Sequence, residues 1–264
     1  MQKRRTVRKI IQEPNAIEYK TNIQRRNTKE DKRSPFVKPP SHYVPKNIEL
    51  QNASQPLMTK IVYATVPKLY DGETIYIIGG GPSLKNFKFE SLHGCRTIAI
   101  NKAILFYPDA DVLYWTDGRF YTWYKNEVDN YKGLKYSLKG GAQYTRDINI
   151  LKKGEAHGLS KDPQTLSHGF NSGYAAINLA YHLGAKRIIL LGFDMGSDGT
   201  LTHFHDGYPS RSTGEAIYRD RFIPSFNELK TDIKELNLTI LNASPYSKLN
   251  VFPKITLDQA LSFR

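Results

Sequence analysis

Five residues of β-branched and aromatic character, 74–78 (TIYII), run directly into three consecutive glycines and a proline: Gly79, Gly80, Gly81 and Pro82. An apolar run cut off this sharply reads as a strand buried on both faces, which points to a parallel sheet rather than a half-exposed antiparallel one. The chain beyond residue 73 repeats the theme. Strands are expected at 97–100 (TIAI), ending in Asn101, and at 112–115 (VLYW), ending in Thr116, Asp117 and Gly118. A weaker one is expected at 134–137. Asn171, Ser172 and Gly173 introduce an apolar helix at 174–183 (YAAINLAYHL), which Gly184 stops, and 187–191 (RIILL) follows as a strand ending in Gly192, Phe193 and Asp194. A helix over 222–235 and a last strand over 238–241 (LTIL) complete the pattern. Strands alternating with helices imply an α/β fold: a mostly parallel sheet with helices on both faces.

The net charge of +13 is concentrated at one end. Residues 1–50 carry 13 Lys and Arg against 5 Asp and Glu, and four prolines fall between Pro35 and Pro45. Few large apolar residues accompany them, so 1–55 reads as a basic extended or disordered tail and 56–264 as the folded domain. Clustered Lys and Arg release counterions from phosphates, so nucleic acid or another polyanion is the partner expected for such a tail. The single cysteine, Cys95, leaves no internal disulfide and is expected to be a small buried residue near a strand start. No apolar stretch reaches the roughly 18–20 residues of a membrane span, and the N-terminus has charge without the apolar core of a secretory signal. A cytoplasmic protein is the expectation, in a host cytoplasm if the chain is encoded by a phage.

In an open parallel sheet, ligands bind in the crevice beyond the carboxyl ends of the strands. Four such ends are glycine-rich or polar here: Gly79–Ser83, Asn101, Thr116–Asp117 and Gly192–Asp194. Three glycines allow positive φ and close backbone approach, and a helix starting at Ser83 would present free N–H groups, which suits a phosphate. The spacing is neither GxGxxG nor GxxxxGK[ST], so a nicotinamide-dinucleotide fold and a P-loop NTPase are disfavoured.

Residues 75–84 (IYIIGGGPSL), 98–101 (IAIN) and 171–195 (NSGYAAINLAYHLGAKRIILLGFDM) resemble a pattern shared by two related groups. One is the bacterial sialyltransferase family that modifies lipooligosaccharide. The other is the broader family named for the archaeal 6-hydroxymethylpterin pyrophosphokinase, which has unassigned phage members. The resemblance covers roughly 73–249 and excludes the tail. It implies a Rossmann-like sheet and a nucleotide-phosphate substrate. Carried over residue by residue, Gly79, Gly81, Pro82 and Ser83 form the phosphate turn, Asn101 contacts the nucleotide, and Ser172 with Gly173 holds donor groups from a helix N-terminus. Gly80, Asn171 and Asp194, at the same strand and helix ends, complete the expected nucleotide-binding set. Gly80 departs from the pattern, standing where the sialyltransferases carry an asparagine that contacts the donor.

Glycosyl transfer by direct displacement needs a base for the acceptor hydroxyl and an environment for the departing phosphate. The segment 196–209 (GSDGTLTHFHDGYP) reads as an active-site lid, with His203 and His205 as candidate bases because imidazole titrates near neutral pH. The resemblance also places a base histidine in this downstream region and does not choose between the two. His-Phe-His equally fits plain alternation in a half-exposed strand. Tyr208, Arg211, Tyr218, Arg219 and Arg221 are candidates to steady a leaving phosphate. A diphosphokinase would instead need Mg²⁺ on the ATP phosphates, and Asp117 and Asp194, taken as neighbouring strand ends, are its candidate ligands. The expected function is therefore a transferase taking a nucleotide-activated donor and an unknown acceptor, foremost a glycosyltransferase. An ATP-dependent diphosphokinase is the alternative, and a catalytically inactive nucleic-acid-binding or virion-associated protein on the same fold is a third reading.

Overall fold

The computed structural model describes residues 61–141, 147–197, 202–205, 208 and 214–264. The basic tail and Arg211 lie outside the described residues. Eight strands form one sheet: β1 (Thr74–Ile78), β2 (Arg96–Ile100), β3 (Val112–Trp115), β4 (Leu134–Leu138), β5 (Asn149–Lys153), β6 (Thr165–Leu166), β7 (Arg187–Leu191) and β8 (Thr239–Asn242). Their spatial order is β6-β5-β4-β3-β2-β1-β7-β8, and every pairing is parallel. The fold is thus α/β with a Rossmann-like parallel sheet, as the alternating pattern implies.

The helices are α1 (Gly118–Trp123), α2 (Lys125–Asn130), α3 (Ser172–His182), α4 (Glu215–Ile217), α5 (Ile223–Asn227), α6 (Leu229–Glu235) and α7 (Leu257–Leu261). Alternation along each strand divides the core in two. Ile75 and Ile77 of β1 point with Ile188 and Leu190 of β7 into a cluster completed by α3, Phe226 and Leu229. Tyr76 and Ile78 face the other way with Ile189 and Leu191, against Phe120, Tyr121 and Ala260. Both faces of β1 and β7 are therefore dry, which is why TIYII and RIILL read as unbroken apolar runs. The Tyr76 hydroxyl is satisfied by donating to the Ala260 carbonyl at 2.7 Å, which fastens α7 to the sheet.

Helix α3 lies across β1, β2 and β3. Asn171 caps it, its Oδ1 accepting the Tyr174 N–H at 2.9 Å, and Gly184 ends it at φ +100. That is a left-handed conformation a side chain would strain.

Three sequence expectations are corrected, and two strands lie outside them. No α-helix follows the glycine turn; Pro82–Leu84 makes a single 3₁₀ turn, closed by i→i+3 bonds from Leu84 N to Gly81 O and from Lys85 N to Pro82 O. The helix expected over 222–235 begins at Glu215, runs through a π-helical turn at Tyr218–Phe222 and breaks at Glu228. Strands β5 and β6 were not foreseen, because NILKK ends in two lysines and TL is only two residues long. Cys95 does sit immediately before β2, but half-buried.

Candidate functional site

Strands β1 and β7 are neighbours whose chains leave in opposite directions, β1 toward β2 and β7 toward β8. Their carboxyl ends form a topological switch point, and a crevice opens there because no connection crosses it. The cleft has a volume of about 340 Å³. Its lining draws on the glycine turn, Asn101, the start of α1, the start of α3, the segment after β7, and His203 with Tyr208. Four non-glycine residues among those described have positive φ, and three of them line this cleft: Asn101 at +51, Phe170 at +63 and Met195 at +55. A left-handed backbone costs a residue such as Phe or Met on the order of 1–3 kcal/mol, so this clustering marks a place whose geometry is held against local preference.

The glycine turn earns its sequence from crowding rather than from positive φ. Gly81 has φ −67, an ordinary value for any residue. A Cβ there would run into the Asp194 carboxylate and lie 2.6 Å from the Gly192 carbonyl oxygen, and one at Gly79 would lie 2.7 Å from that same oxygen. The two turns after β1 and β7 are pressed together and bonded. Gly79 N donates to Leu191 O and Gly81 N to Gly192 O, both at 2.8 Å, while Ser83 Oγ donates to Asp194 Oδ2 at 2.7 Å. Ser83 and Asp194 therefore clamp the turns beneath the cleft; they and Pro82 are absent from its lining. Two of the three glycine N–H groups are thus bonded to carbonyls at the end of β7.

Further N–H groups are open at α3. Asn171 Oδ1 takes the Tyr174 N–H, and among the described residues the Ser172 and Gly173 N–H groups have no partner. Asn171, Ser172 and Gly173 all line the cleft. The first turn of an 11-residue helix thus offers two N–H groups and the positive end of its dipole to an anion. A Cβ at Gly173 would lie 2.7 Å from the Phe193 ring, so this end can approach β7 only as glycine.

The described part of the lid is tied to the glycine turn by Phe204 N donating to Gly80 O at 3.0 Å. His203 and His205 stack on one another but differ in exposure to the cleft. His203 lines the cleft, whereas His205 is buried behind it, its ring 4.9 Å from that of His203 and stacked on Phe106 at 6.1 Å. Burial, and then the nearby Lys102 ammonium, hold the His203 imidazole below its ordinary value of 6.5, so it is neutral at pH 7. Its Nδ1 is 3.0 Å from Thr202 Oγ1. Tyr208 and Tyr218 also line the cleft, and burial raises both phenols, Tyr208 to about 12, so both remain proton donors.

Asp117 lines the cleft but has other occupations. It caps α1 by accepting the Arg119 N–H at 2.9 Å and pairs with the Arg119 guanidinium, which holds its carboxyl below the usual range. Asp117 and Asp194 are not at neighbouring strand ends. Strands β2 and β1 intervene between β3 and β7, so the two ends are about 14 Å apart at normal strand spacing, and one cation cannot bridge both carboxylates. Arg219 is exposed and paired with Asp220. Arg221 stacks on the Phe170 ring, 3.9 Å from its centroid, and borders a second cavity rather than the cleft. Sequence reading missed Phe120, Trp123, Phe170 and Phe222 in the lining. Their apolar character marks them as core, and only the folded chain turns them toward the crevice.

No protein-family model matches the chain, and no curated protein does. Among solved structures it is similar to the sialyltransferase CstII from Campylobacter jejuni in complex with the substrate analogue CMP-3FNeuAc, at 16% identity over 70% of this chain and 86% of that one, with a TM-score of 0.42. The same enzyme in complex with cytidine-5'-monophosphate is similar at 15% identity, with the same coverage and a TM-score of 0.43.

Proposed function

We propose that this protein is a transferase acting on a nucleotide-activated donor, specifically a glycosyltransferase that works by direct displacement. The observation that carries the reading is the pairing, across one cleft, of two unspent helix N–H groups with a neutral imidazole. The first suits a phosphate and the second suits a hydroxyl proton. Phe120, Trp123 and Phe222 supply apolar walls for a base or sugar face, and Asn101, at the end of β2, supplies an amide for the nucleotide.

In this reading the donor phosphate sits against Ser172 N and Gly173 N. With the Nδ1 proton of His203 given to Thr202 Oγ1, the Nε2 lone pair takes the acceptor's hydroxyl proton. The acceptor oxygen forms the new bond to the anomeric carbon as the bond from that carbon to the phosphate oxygen breaks. The charge left on the nucleotide phosphate is met by the α3 N–H groups and the Tyr208 and Tyr218 hydroxyls, which are fixed before reaction and need no reorganisation. Gly79, Gly80, Gly81 and Asn171 shape the floor and edge of this site. Pro82, Ser83 and Asp194 hold it from below, and His205 sets the orientation of His203.

A thermal-shift screen of nucleoside monophosphates, nucleoside diphosphates and nucleotide sugars, with Mg²⁺ and with EDTA, tests the reading. Stabilisation by a nucleotide or nucleotide sugar in EDTA is expected. Stabilisation only by ATP and only with Mg²⁺ would replace it with the diphosphokinase reading.

A further inference from the structure

A second cavity, also about 340 Å³, adjoins the cleft and is lined by Thr116, Asp117, Lys153, His168, Phe170, Asn171, Ser172 and Arg221. Four of these, Asp117, Phe170, Asn171 and Ser172, line the cleft as well. The two spaces are thus separated by the left-handed Phe170 and the start of α3. The second cavity differs from the first in charge. Lys153, the last residue of β5, and Arg221, in the π-helical turn, bring two cations from separate elements, and among the described residues neither has a carboxylate partner. Asp117, the one acid in the lining, is engaged by Arg119. The Arg221 guanidinium carbon lies over the Phe170 ring, 3.9 Å from its centroid, which holds the cation at the cavity.

His168 adds a third donor. Its Nδ1 accepts the Phe170 N–H at 3.1 Å, so the ring proton resides on Nε2. Burial, followed by the charges of Lys153, Arg221 and His157 and opposed by Glu155, keeps the imidazole below 6.5. Protonating it would break the Phe170 bond and place a third positive charge beside two others.

We propose that this second cavity is a subsite for an anionic group, a carboxylate or a phosphate, on the second substrate, gripped by Lys153, Arg221 and His168 Nε2–H. Its place as the acceptor subsite rests on the donor reading above. The shared wall sets a molecule anchored there against the cleft at the α3 N-terminus, where the donor phosphate would lie, so the acceptor is an acidic sugar or a sugar phosphate rather than a neutral one. Two independent elements, β5 and the π-helical turn, converge to make the charge, and strain at Phe170 holds the partition.

The test uses the full-length protein and three probes that share a ring: glucuronic acid, glucose 6-phosphate and glucose. Imidazole proton signals of His168, assigned with His168→Gln, report occupancy of the cavity. One of the two acidic probes is expected to shift these signals and raise the titration midpoint of His168, while glucose leaves both unchanged; which probe acts separates carboxylate from phosphate. Arg221→Gln and Lys153→Gln, both exposed positions, are each expected to weaken that probe about tenfold, the worth of one charge-assisted contact. Nucleotide stabilisation in the cleft should change less than twofold. Equal response to all three probes, or anion binding unaltered in both variants, overturns the proposal. Anion binding that follows the variants in a protein no nucleotide stabilises leaves the anion subsite standing and removes the donor reading instead.

Discussion

At the scale of single residues, His203 and His205 show how little separates a reagent from a packing residue. Two positions apart, their rings stack on one another 4.9 Å apart, yet His203 lines the cleft while His205 is buried beside it. His203→Ala is expected to lower turnover by about 10²–10⁴ with nucleotide affinity nearly intact. His205→Ala should lower it less and lower stability more; equal rate losses without a stability change would reassign the base. Because the His203 imidazole sits below 6.5, the rate should be flat above that pH and fall on acidification through the depressed value, as a pH–rate profile would show. Gly81 and Gly80 divide in the same manner. A methyl at 81 meets the Asp194 carboxylate and a backbone oxygen, neither of which can move aside, so Gly81→Ala should destabilise the fold by about 1–3 kcal/mol in urea unfolding. A methyl at 80 meets side-chain rings rather than backbone, His203 at 3.0 Å and His205 at 3.6 Å, so Gly80→Ala should cost less stability than Gly81→Ala and weaken ligand binding.

At the scale of elements, α3 does two jobs: its apolar body covers β1, β2 and β3, and its first turn faces the cleft. The jobs can be separated because proline is tolerated at the first helical position, where the missing N–H has no intrahelical acceptor. Asn171 before it has φ −148 and ψ 156, an extended conformation that a following proline accepts. Ser172→Pro should therefore keep the thermal midpoint within a few degrees while weakening nucleotide stabilisation well beyond Ser172→Ala, which removes only the hydroxyl. Equal nucleotide binding in the two variants would take the phosphate away from α3. The π-helical turn at Tyr218–Phe222 matters for a similar reason, since its wide register sends Tyr218 and Phe222 into the cleft and Arg221 into the neighbouring cavity.

At the scale of the molecule, residues 61–70 already belong to the folded body: Ala64 N donates to Ile150 O, Val66 N to Pro163 O, and Tyr70 is buried. We propose that 1–55 is separable, so a chain beginning at Leu57 should unfold cooperatively and bind heparin more weakly, with a flatter salt dependence. Failure of that chain to fold would make the tail structural. His168, His182 and His203 are all held below 6.5, chiefly by burial. The unfolded chain then binds more protons than the folded one between the depressed values and 6.5. Their stabilisation is complete above about 6.5 and declines as pH falls below it, which thermal midpoints from pH 7.5 to 5 would reveal. No helix among the described residues is long and apolar enough to cross a membrane. What the sequence determined by itself was local: the buried strands TIYII, TIAI, VLYW and RIILL, the capped helix α3, and a site beyond the strand ends. These follow from consecutive residues, whose apolar periodicity and glycine or asparagine stops act within one element. Only the tertiary structure decided which strand ends are neighbours. It put β1 beside β7 and Asp117 far from Asp194, bonded two of the three glycine N–H groups at the end of β7, and left those of Ser172 and Gly173 open. It also recruited Lys153 and Arg221 from distant segments to one cavity, because strand order and packing depend on contacts between residues many positions apart, which no local pattern records.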